Sequence, residues 1–257
     1  MYCKKKEKGG EEIQNEGGVK QKKTSMDEEL EVKFEIDKPV DDPLFAILLF
    51  HGYTSIPKFW DPTVKLMLES PPLRPFKDRI LVVRAAAPIK PTILYGGYPR
   101  RTFYNFYGRN HGMEEDRDGI EKTNSEVHLF MRKLMHKYSL TTKQLILMGF
   151  SQGGAVALKA GTTFPGFSGL IIALSTYYPL IDEFRPPVDT KYKILYMHGK
   201  GDKVLPFGFA ERNKNHFKDH CVNFEFVEME DQGHEIRVKQ LRESVIPFIA
   251  QNMNLVS

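Results

Sequence analysis

Cysteine is nearly absent: 257 residues hold only Cys3 and Cys221. That is too few for a disulfide framework, and it points to a reducing compartment, so a cytoplasmic location is expected. Long hydrophobic runs are missing as well. No apolar stretch approaches the roughly 20 residues that span a bilayer, and the charged N-terminus does not read as a signal peptide. Nor does one sign of charge dominate. Lys and Arg number 37 against 33 Asp and Glu, and the formal charge of +4 is too small on this length to argue for a nucleic-acid partner. What is present, 41% hydrophobic and 27% charged residues, is the balance of a soluble globular chain long enough for one large α/β domain.

Residues 1–29 carry seven lysines and seven acidic residues among Gln and Gly, with no hydrophobic periodicity. They are expected to form a disordered polyampholyte tail, followed by a folded domain over residues 30–257. Cys3 lies beside Lys4, Lys5 and Lys6, a setting in which palmitoylation would give transient membrane association. An unmodified thiol on a floppy tail is the favoured reading.

From Leu30 the pattern changes. Val32, Phe34 and Ile36 alternate with polar residues, as in an edge strand, whereas Phe45 to Phe50 is continuously apolar, as in a strand buried on both faces. Further buried strands are read at Ile80 to Val83, Leu145 to Met148, Leu170 to Leu174, Ile194 to Met197 and Phe224 to Val227. Between them, Ile120 to Tyr138 shows helical periodicity. A helix is also expected to begin near Gly153, and another to run from about Ile236 to Asn252. Strands alternating with helices over this length define an α/β fold, a mostly parallel central sheet with helices on both faces.

The chain is organised around Gly149-Phe150-Ser151-Gln152-Gly153, which joins a buried strand to a small-residue helix. This is the G-x-S-x-G pattern of a serine raised on a sharp strand-to-helix turn, with glycines where side chains would collide. In an open parallel sheet, functional residues collect beyond the carboxyl ends of the strands. Those loops carry His51-Gly52-Tyr53-Thr54, Ser151, His198-Gly199-Lys200-Gly201-Asp202 and Gly233-His234-Glu235. A serine hydroxyl needs an imidazole to take its proton, and the imidazole needs a carboxylate to fix its tautomer, which assigns Ser151, His234 and Asp202. The developing oxyanion needs preorganised donors, here the backbone N–H groups of Tyr53 and Gln152.

Asp182 and Glu183 rival Asp202 as the acid. His51 suits a role shaping its own loop, His198 suits packing at its strand end, and His128 and His136 suit a solvated helix face. His216 and His220, four apart beside Cys221, have metal-ligand spacing but no further ligand cluster, so a surface helix is favoured. No metal or cofactor is expected.

With these motifs placed, the chain resembles the phospholipase/carboxylesterase family that includes acyl-protein thioesterases and lysophospholipase-type enzymes, over residues 45–252. The resemblance rests on Gly149-Phe150-Ser151-Gln152-Gly153-Gly154, His198-Gly199-Lys200-Gly201-Asp202-Lys203-Val204-Leu205-Pro206, Leu174-Ser175-Thr176-Tyr177-Tyr178-Pro179, Ala86-Ala87-Pro88 and Gly233-His234. It implies an α/β-hydrolase fold without a large cap domain, and nucleophile, acid and base at the positions already assigned. Two segments depart from the family pattern. His51-Gly52-Tyr53-Thr54-Ser55 stands where His-Gly-x-Gly-Asp is usual, and Phe103-Tyr104-Asn105 where Trp-aromatic-Asp is usual.

The stretch 95–107 is rich in aromatics and reads as a long loop forming a lid or acyl-pocket wall, with Tyr95, Phe103, Tyr104 and, from a later segment, Tyr177 as substrate-binding residues. Arg100, Arg101 and Arg109 would stand near its entrance. The expected activity is hydrolysis of acyl thioesters or esters through an acyl-enzyme. S-acylated protein is the first substrate class, and lysophospholipid or a small carboxyl ester the second. A catalytically inactive hydrolase fold that binds lipid or protein is the rival of another class, and a peptidase is the third reading.

Overall fold

The computed structural model describes residues 30–37, 39, 41–108, 114–186, 190–220 and 222–254. The expected tail, Cys3 and its neighbouring lysines, Arg109 and Cys221 lie outside the described residues.

Seven strands form one twisted sheet: β1 (Lys33–Asp37), β2 (Phe45–Phe50), β3 (Ile80–Ala86), β6 (Leu145–Phe150), β7 (Leu170–Leu174), β8 (Lys193–Gly199) and β9 (Phe224–Met229). Their order is β1-β3-β2-β6-β7-β8-β9. β1 runs antiparallel to β3, and every other pairing is parallel. The alternating segment becomes the half-exposed edge strand, while β2 and β6 are buried at every residue, as the continuous apolar runs require.

The period-2 alternation of a strand divides each run between two cores. Leu48, Leu147 and Ile171 face α2 (Arg117–Tyr138), α3 (Gln152–Thr163) and α4 (Phe207–Asp219). Ile47, Ile146 and Ile172 face α1 (Asp61–Leu68) and the C-terminal helix. That helix comprises α5 (Val238–Gln240), a π-helical turn at Leu241–Val245 and α6 (Ile246–Asn252). Helices thus cover both faces, and the strand and helix positions read from periodicity agree with these elements. The first helix of the chain, α1, escaped that reading. It has eight residues, and its start is marked only by Asp61 in the first turn and the proline at its second position, where the missing N–H costs nothing.

The stretch read as a long loop is in part a hairpin. β4 (Ile89–Pro91) pairs antiparallel with β5 (Pro99–Arg101). Strands of three residues bounded by prolines carry no alternation, so only the pairing itself reveals them.

Candidate active site

Because β2, β6, β8 and β9 run parallel in one sheet, their carboxyl ends open at the same edge, where their loops meet. Ser151 follows β6 directly with φ 55° and ψ −124°, a region sparsely populated by any residue with a side chain. The turn is held from both sides. Ser151 N–H donates to Leu174 O (3.0 Å), and Thr176 Oγ1 donates to Ser151 O (2.6 Å). The flanking glycines are required by contact: a Cβ on Gly149 would overlap the Gly153 carbonyl, and a Cβ on Gly153 would overlap the Phe50 carbonyl. Both obstacles are backbone, so neither can rotate away.

His234 Nδ1 lies 2.7 Å from Asp202 Oδ2. Asp202 is almost fully buried, and its Oδ1 accepts the N–H groups of Val204 and Leu205, both at 2.8 Å. Burial pushes its carboxyl pKa up, but the His234 bond and the Leu205 and Val204 amides outweigh that, and the net shift is below the ordinary value. With Nδ1–H donated to the carboxylate, Nε2 is the basic nitrogen of the His234 ring. The loops after β8 and β9 are tied together by Gly201 N–H donating to Gln232 O (3.0 Å), and Gln232 Nε2 donates to Glu235 O (2.7 Å). Neither rival acid shares this position. Asp182 pairs with Arg212, and Glu183 with Arg117.

His51 and His198 are structural. His51 Nδ1 donates to Gly52 O (2.8 Å) and Nε2 accepts Ala87 N–H (3.2 Å), joining the loop after β2 to the end of β3. Burial holds its pKa down to about 4. The fully buried His198 ring donates Nε2–H to Leu205 O (2.9 Å) and stands 3.5 Å from Asp202 Oδ2, backing the acid loop; burial lowers its pKa also. The rings of His216 and His220, on α4 and at its C-terminal end, lie 4.3 Å apart and tilted by 31°, and among the described residues no group of three or more His, Cys, Asp and Glu could hold a metal ion.

The loop after β2 lies against the serine. A Cβ on Gly52 would come within 3.4 Å of Ser151 Cβ. Thr54 N–H donates to Arg101 O (2.8 Å), and the Tyr53 ring stacks on Tyr95 at 5.9 Å, so this loop is anchored on the β4–β5 hairpin. Gln152, first residue of α3, has a backbone N–H of the kind a helix leaves without an internal partner. Its side chain does separate work: Oε1 accepts Phe103 N–H (3.1 Å) and Nε2 donates to Tyr104 O (2.8 Å).

Ser151, His234, Tyr53, Gln152, Tyr95 and Tyr177 line one cavity of about 180 Å³. Phe103 and Tyr104, expected there, do not. The hold of Gln152 on their backbone turns the Phe103 ring into the core against Phe50 and His51, leaving it 1% exposed. Tyr104 is buried with its hydroxyl 2.7 Å from that of Tyr177, and lines a different cavity. Phe106, Phe59, Leu94, Phe150, Val204 and Leu205 complete the serine cavity's walls. Phe106 belongs to the aromatic stretch 95–107, and Phe150 is the first of the two variable residues of the elbow. Phe59 comes from a 3₁₀ turn at Pro57–Trp60 that nothing in the sequence connects to Ser151.

A serine on a strained turn after a central parallel strand, with a histidine–aspartate pair from two later loops, defines an α/β-hydrolase. Residues 32–253 match the phospholipase/carboxylesterase family, and the chain belongs to it. Among similar proteins are acyl-protein thioesterase 1 of Mycosarcoma maydis, 25% identical over 69% of this chain and 77% of that one, and acyl-protein thioesterase 1 homolog 2 of Dictyostelium discoideum, 25% identical over 79% and 92%. Among solved structures, Zea mays acyl-protein thioesterase 2 superposes with a TM-score of 0.69 at 21% identity, covering 86% of this chain and 99% of that one. Arabidopsis thaliana SOBER1 gives 0.68 at 20% identity, covering 82% and 97%.

Proposed function

We propose that this chain hydrolyses acyl thioesters and esters through a Ser151 acyl-enzyme, with S-acylated protein as its preferred substrate. The observation that carries the reading is the 2.7 Å His234–Asp202 bond opening on the same cavity as the elbow serine. In the first half-reaction His234 Nε2 takes the Ser151 hydroxyl proton as Oγ attacks the acyl carbon, and Asp202 stabilises the imidazolium. The N–H groups of Tyr53 and Gln152 receive the oxyanion. The proton then passes to the departing thiolate or alkoxide. Water, deprotonated by the same histidine, releases the fatty acid and restores Ser151.

An acyl chain suits a cavity walled by Tyr53, Phe59, Leu94, Tyr95 and Phe106, and the names of the relatives favour a protein as its carrier. Transient contact with a membrane surface forms part of the proposal. Ile89, Ile93 and Tyr98 are 62%, 52% and 72% exposed on or between β4 and β5, next to the Tyr95 that lines the cavity. No helix among the described residues is long and apolar enough to cross a membrane.

The test is covalent labelling by a fluorophosphonate, followed by turnover of matched thioesters, oxygen esters and lysophospholipids of increasing chain length. Labelling at Ser151 with highest turnover on long-chain protein thioesters is expected. No labelling of the folded protein sinks the enzyme reading, and a preference for lysophospholipids reassigns the substrate.

A further inference from the structure

β6 and β7 both end in a serine with positive φ, Ser151 at 55° and Ser175 at 44°. Such backbone persists only where its surroundings over-determine it. Ser175 N–H donates to Met197 O (2.8 Å), and the residues on either side of Ser175 hold the elbow. Leu174 O accepts Ser151 N–H (3.0 Å), and Thr176 Oγ1 donates to Ser151 O (2.6 Å). Thr176 also packs against the first turn of α3, where a Cβ on Gly154 would come within 2.7 Å of Thr176 Cβ.

Ser151 O accepts the N–H groups of Gly154 (2.9 Å) and Ala155 (3.2 Å), bonds that any helix start gives to the residue before it. The Thr176 hydroxyl is a donor of another kind, because it reaches the elbow from a different loop. Its other acceptor, Tyr177 O, is more distant at 3.3 Å. Thr176 is braced in turn. The Tyr196 hydroxyl, on β8, donates to Thr176 O, and Asn213 Nδ2, on α4, donates to the Tyr196 hydroxyl (2.9 Å). Thr176, Tyr196 and Asn213 are all buried, so water does not compete for these bonds.

A trans peptide is planar, so its C=O and N–H point in opposite directions and turn together. Ser151 C=O and Gln152 N–H belong to one such unit, and whatever fixes the first aims the second. Resting on the acyl-hydrolase reading above, in which Gln152 N–H receives the oxyanion, we propose that Thr176 is a positioning residue whose hydroxyl holds the peptide joining Ser151 to Gln152. The nucleophile and the oxyanion donor then keep their directions as the acyl carbon becomes tetrahedral, and Tyr196 and Asn213 keep Thr176 in place. Thr176 does not line the serine cavity. Its contribution therefore belongs to the transition state, and to kcat more than to KM.

The experiment compares the wild-type protein with Thr176→Val, which keeps the shape and removes the hydroxyl, and Thr176→Ser, which keeps the hydroxyl. On an S-octanoyl peptide, kcat of Thr176→Val should fall about tenfold at unchanged KM, and Thr176→Ser should stay within about twofold of wild type. An octyl trifluoromethyl ketone, whose tetrahedral adduct with the serine carries an oxyanion, should bind Thr176→Val about tenfold more weakly. The S-octyl thioether of the same peptide has no carbonyl and should inhibit both proteins equally. Tyr196→Phe should lower kcat in the same direction and add little to Thr176→Val, since both act through one peptide unit. An unchanged kcat in Thr176→Val overturns this inference and leaves the acyl-hydrolase reading standing. So does an equal loss in Thr176→Ser, or thioether binding that weakens as much as ketone binding. Should Thr176→Val fail to fold, Tyr196→Phe decides alone: a lower kcat at unchanged KM supports the inference, and an unchanged kcat overturns it. Neither turnover nor fluorophosphonate labelling of the wild-type protein would remove both readings.

Discussion

Asp202 combines two demands on one carboxylate. Oδ1 is fixed by two backbone amides and Oδ2 by His234, so the side chain cannot turn without losing bonds in a buried place. Asp202→Asn should preserve the fold, because the amide oxygen can still accept Val204 and Leu205. Its nitrogen would then face His234 Nδ1 as a donor and stabilise the wrong tautomer. A fall in kcat of about 10³–10⁴-fold with little change in melting temperature is expected, measured on a thioester substrate. Ser151→Ala should abolish fluorophosphonate labelling and hydrolysis while the protein stays folded by circular dichroism; residual hydrolysis near the wild-type rate would exclude Ser151 as the nucleophile. Phe103 teaches a different lesson at this scale. It stands three residues from Phe106 in an equally aromatic stretch, yet one ring enters the core and the other lines the serine cavity. The choice is made by Gln152, 49 residues away, which hydrogen-bonds the Phe103 amide.

At the scale of elements, the elbow and the hairpin behave oppositely. The elbow is set by close approach of backbone to backbone. Gly153→Ala places a methyl group into the Phe50 carbonyl, and α3 can relieve the overlap only by moving off β2. Destabilisation of about 1–3 kcal/mol should therefore accompany loss of activity, read from urea denaturation. A fully stable and active Gly153→Ala protein would contradict the close contact of α3 with β2. The β4–β5 hairpin carries exposed apolar side chains, so changes at its surface should spare folding. Tyr98→Asp paired with Ile93→Asp should weaken co-sedimentation with lipid vesicles while leaving hydrolysis of a soluble short-chain ester near the wild-type rate. Unchanged sedimentation would deny the hairpin a membrane role.

Across the whole molecule, acid should loosen what holds the site loops. The pKa of His51 is about 4 when folded, against 6.5 for an ordinary histidine, because burial disfavours the charged ring. Between those values the unfolded chain binds a proton that the folded chain does not, so lowering the pH through this window favours unfolding. The contribution is complete above about pH 6.5 and amounts to about 3 kcal/mol. His198, depressed by burial, acts in the same direction, and Asp202, depressed by its bonds, extends the loss below the ordinary carboxylate range. Urea midpoints should therefore fall steadily from pH 7 to pH 4. A shallower fall is expected for His51→Gln, which cannot take up the proton. A flat profile in the unmodified protein would contradict the buried neutral ring.

The layered α/β architecture, the elbow serine and the candidate acid and base were legible in the amino-acid order. Continuous apolar runs of about six residues are the sign of strands covered on both sides, and glycines at fixed offsets around a serine answer a local steric demand. Such patterns depend on neighbours within a few residues, and the sequence alone determines them. The walls of the serine cavity were decided only by tertiary structure. Phe59, Phe106, Tyr177 and Leu205 come from separate segments of the chain and meet only in the folded protein. Which side of a loop faces a cavity is set by long-range hydrogen bonds such as Gln152 to Phe103, and these come into being only when distant segments meet.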